Sequence, residues 1–169
     1  MDYFGRVAEL FVTVILLFFV PLSYMSAKSE MLCQTYVTTE TTYFVDSVRN
    51  IGFLDKQMYE TFVKKLAVTN IPYEIKMSHY KAKILGTEEE GESELTYLPY
   101  YQGVYQEEIL NEILESEGYF FNRGDFFSVS VQKKGMTWGD RLDAFLLGRS
   151  FESSKMQIVY GGGIRDESN

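Results

Sequence analysis

Apolar and polar positions divide this chain sharply near residue 26. From Leu10 to Met25 it reads LFVTVILLFFVPLSYM, without a charge and with Thr13 and Ser23 as the clearly polar side chains. With Val7 and Ala8 the run reaches the roughly 17–20 residues that cross a bilayer core as a helix. Helix is the expected conformation, because lipid offers no partners for backbone N–H and C=O groups. Pro21 lies late in the run, where proline kinks a membrane helix rather than ending it. From Ser26 to Asn50 there is neither Gly nor Pro. Leu32, Tyr36, Thr39 and Tyr43 recur at helical spacing and predict a stalk helix, continuous with the first, that stops at Gly52. A helix over residues 4–50 would be about 70 Å long.

The pattern then changes to short elements. Asp55 predicts the cap of a helix through Ala67, with Met58, Tyr59, Phe62, Val63 and Leu66 as its apolar stripe and Lys64 and Lys65 at its end. Tyr73, Ile75 and Met77 alternate, and Tyr80, Ala82 and Ile84 alternate in the other phase, which predicts a strand with a bulge near Ser78 and His79. Gly86–Glu94 reads as a solvated acidic loop that lacks the ligand spacing of a calcium loop. Leu95–Tyr101 reads as a return strand kept at an edge by Pro99. Tyr105, Ile109, Leu110, Ile113 and Leu114 predict a third helix, with Gly118 past its end. Phe127, Val129 and Val131 alternate with Ser128 and Ser130, the clearest strand in the chain. Thr137 and Asp140 resemble a capping box opening a helix that buries Trp138, Leu142, Phe145 and Leu146 and stops at Gly148. Met156–Tyr160 is a last strand, and Gly161–Gly163 suits either close packing or a turn.

The expected fold is therefore α+β: a transmembrane anchor at 1–26, a stalk helix at 27–51, and a domain at 52–169 with a small antiparallel or mixed sheet and short helices. Composition agrees. The 169 residues leave about 110–120 for a head, a common domain size. Thirteen Tyr and 13 Phe are enough for a core. The formal charge of -8 falls wholly after residue 28, since Asp2 and Glu9 cancel Arg6 and Lys28. Such an acidic domain argues against nucleic acid and against lying flat on anionic lipid. Cys33 is the single cysteine, so no intrachain disulfide forms, and it reads as a helix-face residue. The leader MDYFGR and the long apolar run favour a retained anchor over a cleaved signal peptide. Arg6 and the α-amine favour an inside N-terminus, which puts the C-terminal domain outside the cell membrane.

Candidate chemistry is sparse. There is no GxSxG, no phosphate-binding glycine motif, and no zinc spacing from one His and one Cys. His79 has no Cys, His or carboxylate cluster beside it in sequence and reads as a plain strand residue. Asn122–Asp125 contains the Arg-Gly-Asp triplet of adhesion motifs, but Asn and Gly are also what a tight turn needs, and the turn is the reading preferred. No catalytic, cofactor or metal residue is assigned, and an enzyme is not expected.

The stretches GRVAELFVTVILLFFVPL, YFVDSVRNIGFLDKQMYETFVKKL, GDFFSVSV and GGGIRDE, in this order, resemble the TadE-like minor pilins of tight-adherence loci and related small membrane-anchored proteins encoded by Gram-positive bacteria. Glu9 is fourth after Gly5, where pilins carry a glutamate fifth after the cleavage point. The resemblance implies a structural subunit of a pilus-like or secretion-like envelope assembly. Its partners would be membrane lipid, other pilin-like subunits, envelope assembly proteins or further copies of itself. Glu9 and Pro21 are the candidate assembly residues. Glu9 has two readings: a headgroup carboxylate beside Arg6, or a partner for the amine or Arg6 of a neighbouring copy. Two rival functions remain: a monomeric anchored domain binding through Tyr97–Tyr105, and a secreted domain released by signal cleavage.

Overall fold

A computed structural model describes residues 2–87, 96–137, 140, 141, 144, 145 and 156–165. The chain order is α1 (Asp2–Ile51), β1 (Phe53–Leu54), α2 (Lys56–Ala67), β2 (Tyr73–Thr87), β3 (Thr96–Tyr105), α3 (Gln106–Glu115), β4 (Tyr119–Phe120), β5 (Phe126–Lys133) and β6 (Gln157–Gly163). This is the α+β arrangement expected. The chain forms two compact units: residues 1–36 with 135–155, and residues 37–134 with 156–169.

In the first unit, α1 runs through Pro21 without interruption. Thr13 and Thr35 turn their hydroxyls back to the carbonyls of Glu9 and Met31, at 2.8 and 2.9 Å. Thr137 and Asp140 form the reciprocal cap: the Thr137 N–H donates to the Asp140 carboxylate at 2.7 Å and the Asp140 N–H to the Thr137 hydroxyl at 3.3 Å. Phe145, expected on the buried face there, is 80% exposed. Trp138, Leu142, Leu146 and Gly148 lie outside the described residues, as do residues 88–94 of the acidic loop.

The second unit is built on a four-stranded antiparallel sheet of order β3-β2-β5-β6, beside a two-stranded ladder of β1 and β4. In β5, Phe127, Val129 and Val131 are fully buried, as their alternation predicts. The bulge expected in β2 is absent. Pairing runs unbroken from Tyr73↔Lys133 to Tyr80↔Phe126, and from Ser78↔Tyr105 to Thr87↔Thr96. The phase switch has another cause. The inward set continues past Met77 with His79, a polar residue at a core position. Pro99 sits on the edge strand opposite Ile84, as expected, and that strand extends further, to Tyr105.

The last third of α1 supplies one wall of the core, but not through the expected face. Leu32 and Tyr43 are 65% and 66% exposed, whereas Val37, Thr41, Phe44, Val45 and Val48 are buried. The buried face is set by what it meets: Phe44 reaches the Phe62 and Phe127 rings, and the β-branched Val37, Thr41, Val45 and Val48 fill the space beside it. Thr41 is satisfied there by the Val37 carbonyl at 2.7 Å. Gly52, with φ of 69°, ends the helix and donates to the Val48 carbonyl. Asp55 caps α2 by accepting from the Met58 N–H at 2.6 Å. Phe62 and Leu66 are the buried part of the expected stripe, while Val63 reaches the surface. Phe44 stacks on Phe62 with ring centroids 4.3 Å apart and meets Phe127 edge-on. Lys65 bridges Glu40 at 2.7 Å.

The glycine run closes the sheet by close approach. A Cβ on Gly161 would meet Ser128 Cβ at 2.5 Å and the Phe127 carbonyl at 2.8 Å. Gly162 leaves room for the Arg49 guanidinium, whose Nε donates to the Gly163 carbonyl at 3.0 Å while Nη1 pairs with Asp46 at 2.7 Å. Tyr160 donates to the same Asp46 carboxylate. Gly161→Ala should therefore destabilise the folded head by about 1–3 kcal/mol, the usual cost of overpacking against backbone. Gly162→Ala should cost less, because the tip of a flexible arginine gives way. Urea unfolding midpoints of the two variants, compared with wild type, check the order.

Candidate functional site

The predicted assembly residues lie on α1 and are not brought together. Glu9 is exposed near its start, and Pro21 is about 18 Å further along the axis at the helical rise. Between them Leu10, Phe11, Leu17 and Phe18 are each about two-thirds exposed. Among the described residues, α1 is the helix long and apolar enough to cross a membrane, and none of its apolar window is buried. A continuous exposed apolar surface of this kind marks contact with membrane or protein rather than water.

A polar cluster that sequence reasoning missed lies inside the head. His79, Tyr119 and Asp125 are 0%, 1% and 2% exposed. His79 Nε2 lies 2.9 Å from Asp125 Oδ2, and Nδ1 lies 2.7 Å from the Tyr119 hydroxyl. Asp125 also accepts the Ala82 N–H on Oδ1 at 2.9 Å and the Asn122 N–H on Oδ2 at 3.0 Å. A carboxylate only accepts, which assigns the ring proton to Nε2. Nδ1 then accepts from the Tyr119 hydroxyl. His79 is thus not a plain strand residue. Its partner Asp125 is 46 positions away and belongs to the NRGD turn, where Gly124 takes φ of 93°. That turn is as expected, and burial of Asp125 withdraws the carboxylate an adhesion motif would have to present.

The electrostatics keep this cluster in one protonation state. Burial pushes the His79 pKa below its ordinary 6.5, with Asp125 pulling the other way. Burial alone would raise Asp125, but the Ala82 and Asn122 N–H bonds and the His79 bond outweigh it and hold the carboxyl below its ordinary 3.8. Burial raises the Tyr119 hydroxyl, helped by Glu112 and Asp125. A neutral imidazole between a carboxylate and a phenol has both ring nitrogens occupied and none to offer a substrate. The arrangement ties strands and turn together. Among the described residues no three His, Cys, Asp or Glu side chains are placed to hold a metal ion.

Two surface concavities are lined by described residues of the head. One, of about 380 Å³, lies between α1 and α2 and is lined by Tyr43, Ser47, Ile51, Met58, Phe62 and Lys65 among others. Lys65 Nζ sits 4.9 Å over the Tyr43 ring. The other, about 920 Å³, lies between α2, β2 and α3. Tyr101 and Tyr105 of the Tyr-rich β3 are 63% and 60% exposed.

The cluster makes the head acid-sensitive. His79 and Asp125 both have folded pKa values below their unfolded ones, so each contributes stability that is present at higher pH and lost on acidification. For His79 the loss begins as pH falls through about 6.5, and for Asp125 below about 3.8. Urea midpoints should fall between pH 7.5 and 5.5, and less so in His79→Gln. At pH 7.5 Asp125→Ala should cost about 3–5 kcal/mol, because buried donors lose their charged partner. A pH-independent wild-type midpoint between 7.5 and 5.5 would contradict this reading.

No protein-family model matches the chain, and neither a curated relative nor a solved structure matches it.

Proposed function

We propose that the chain is a single-pass membrane protein whose C-terminal domain lies outside the cell membrane and which serves as a structural subunit of a pilus-like or secretion-like envelope assembly. The observation that carries this is α1. Its run from Leu10 to Met25 is uncharged and none of those residues is buried, while its last third is core of a separately packed head. A helix built in this way can hold lipid or like helices at one end and a folded domain at the other. The resemblance of GRVAELFVTVILLFFVPL to the TadE-like minor pilins supports the same reading. Glu9 then stands at the edge of the apolar segment, beside Arg6. An unpaired carboxylate is costly where the dielectric is low, so pairing with the N-terminal amine or Arg6 of a neighbouring copy would set the stagger between subunits.

Two measurements test this. Full-length protein should resist carbonate extraction from membranes, and recovery in the soluble fraction would overturn the anchor. In a Cys33→Ser background, cysteines engineered singly between Val12 and Val20 should crosslink copies of the chain. Glu9→Gln should abolish those crosslinks without changing membrane insertion. Unchanged crosslinking would remove the pairing role of Glu9 and leave it a headgroup residue.

A further inference from the structure

The sheet of the head has a gap in its ladder. The Ala82 N–H points to Asp125, and the Pro72 carbonyl accepts the Lys134 N–H at 2.8 Å, both on the β5 side of β2. Backbone groups alternate along a strand, so even-numbered residues from 72 to 82 face β5 and odd-numbered ones face the opposite side. From Ser78 onward that opposite side is filled by β3. Below Ser78 it is not, because β3 ends at Tyr105, opposite Ser78, and the chain turns away into α3. Among the described residues no strand pairs with β2 there over Glu74–Met77, while β5 pairs with all of it on the other side. The N–H and C=O of Ile75 point into this gap.

The gap coincides with the larger concavity, about 920 Å³, whose walls include Tyr59 and Val63 of α2, Ile75 of β2, and Glu107, Glu108 and Leu110 of α3. It therefore offers an open strand edge at its floor and apolar side chains beside it. Its lining is acidic on balance, with Glu74, Glu107 and Glu108 against Lys76. Glu74 is engaged by Lys76 and Lys134, at 3.9 and 3.6 Å. Glu107 and Glu108, in the first turn of α3, are exposed and meet no cation among the described residues.

The geometry points to this groove as a docking site for an extended basic peptide segment of another protein, added as a short strand along β2 in the place β3 leaves empty. Main-chain hydrogen bonds to Ile75 would hold the segment. An apolar side chain at every second position would fit beside Val63 and Leu110, and lysine or arginine would meet Glu107 and Glu108. An edge strand of a second copy is the less suitable occupant, because it would bring its own exposed Glu107 and Glu108 against the same like charges.

The test uses the full chain in nanodiscs and three synthetic heptapeptides. One alternates valine and lysine, one alternates valine and glutamate, and the third is the valine–lysine peptide N-methylated at alternate residues. By fluorescence anisotropy the valine–lysine peptide should bind saturably, and the other two at least tenfold more weakly. Glu107→Lys combined with Glu108→Lys should invert the charge preference. Ile75→Pro removes a donor on the open side and none from the β5 ladder, so it should weaken binding at least tenfold. Should that variant misfold, the N-methylated peptide asks the same question of the wild-type chain. Equal binding of all three peptides, or a preference that survives charge reversal, would overturn the proposal. So would sedimentation showing a wild-type dimer that Ile75→Pro converts to monomer, since the edge would then belong to a second copy.

Discussion

The head depends on one buried carboxylate. Asp125 holds a formal charge at 2% exposure, and that charge is tolerable because three N–H groups converge on it, from Ala82, Asn122 and His79. Two of the donors, His79 and Ala82, lie on β2, and the third, Asn122, opens the tight turn. Through His79 the connection extends to Tyr119 on β4, and so to the β1–β4 ladder. The backbone of the same residue accepts the Ile164 N–H at 2.8 Å, which fixes the chain as it leaves β6. One side chain and its peptide thus join the turn to two segments distant in sequence, β2 and the chain leaving β6, and through His79 to β4. The aromatic contacts around it, Phe121 with His79 and with Phe127 at 4.7 and 5.0 Å, fill the space and keep water out.

Exclusion of water is also what divides the two faces of α1. In the head, valine and threonine at helical spacing lie on the sheet, and Arg49 closes the end by reaching the Gly163 carbonyl through space that Gly162 leaves open. In the apolar half the same helical geometry carries phenylalanine and leucine on every side, a composition that suits surroundings apolar all round. A surface helix of a globular domain is apolar on one stripe, because its other side meets water. The residue pattern changes from all-round to one-sided along a single unbroken helix.

This contrast explains what could be read from the residues alone. The long apolar helix, the cap at Asp55, the alternation of Phe127, Val129 and Val131, the edge position of Pro99 and the turn at Gly124 each follow from a local rule: hydropathy, side-chain capping, period two, a missing N–H, a positive φ. The errors arose where a distant partner decides. His79 broke the apolar alternation of β2 and mimicked a bulge, because its match, Asp125, is 46 positions away. On α1 the larger residues Leu32 and Tyr43 outweighed Val37, Val45 and Val48, although the smaller side chains are the ones buried. The ladder of β1 and β4 has two residues in each strand and carries no periodic signal. Gly118 before it was legible as a helix stop. Its second role, giving the Phe53 ring room where a Cβ would collide, was not.

The same divide between local and distant determinants bears on where the molecule can accept a partner. Strand pairing saturates β5 on both sides and β2 only in part, because Tyr105 begins the departure into α3 at the point where the ladder could have continued. Extending β3 by four residues would have closed the edge at little cost in chain length. Instead Glu107 and Glu108 stand in the first turn of α3, where the helix dipole favours them. Acidic side chains at an open edge act in two directions at once. They discourage pairing between like chains, which bring the same charges, and they favour a basic strand that neutralises them. An edge left open beside like charges is therefore selective, and selective against copies of itself.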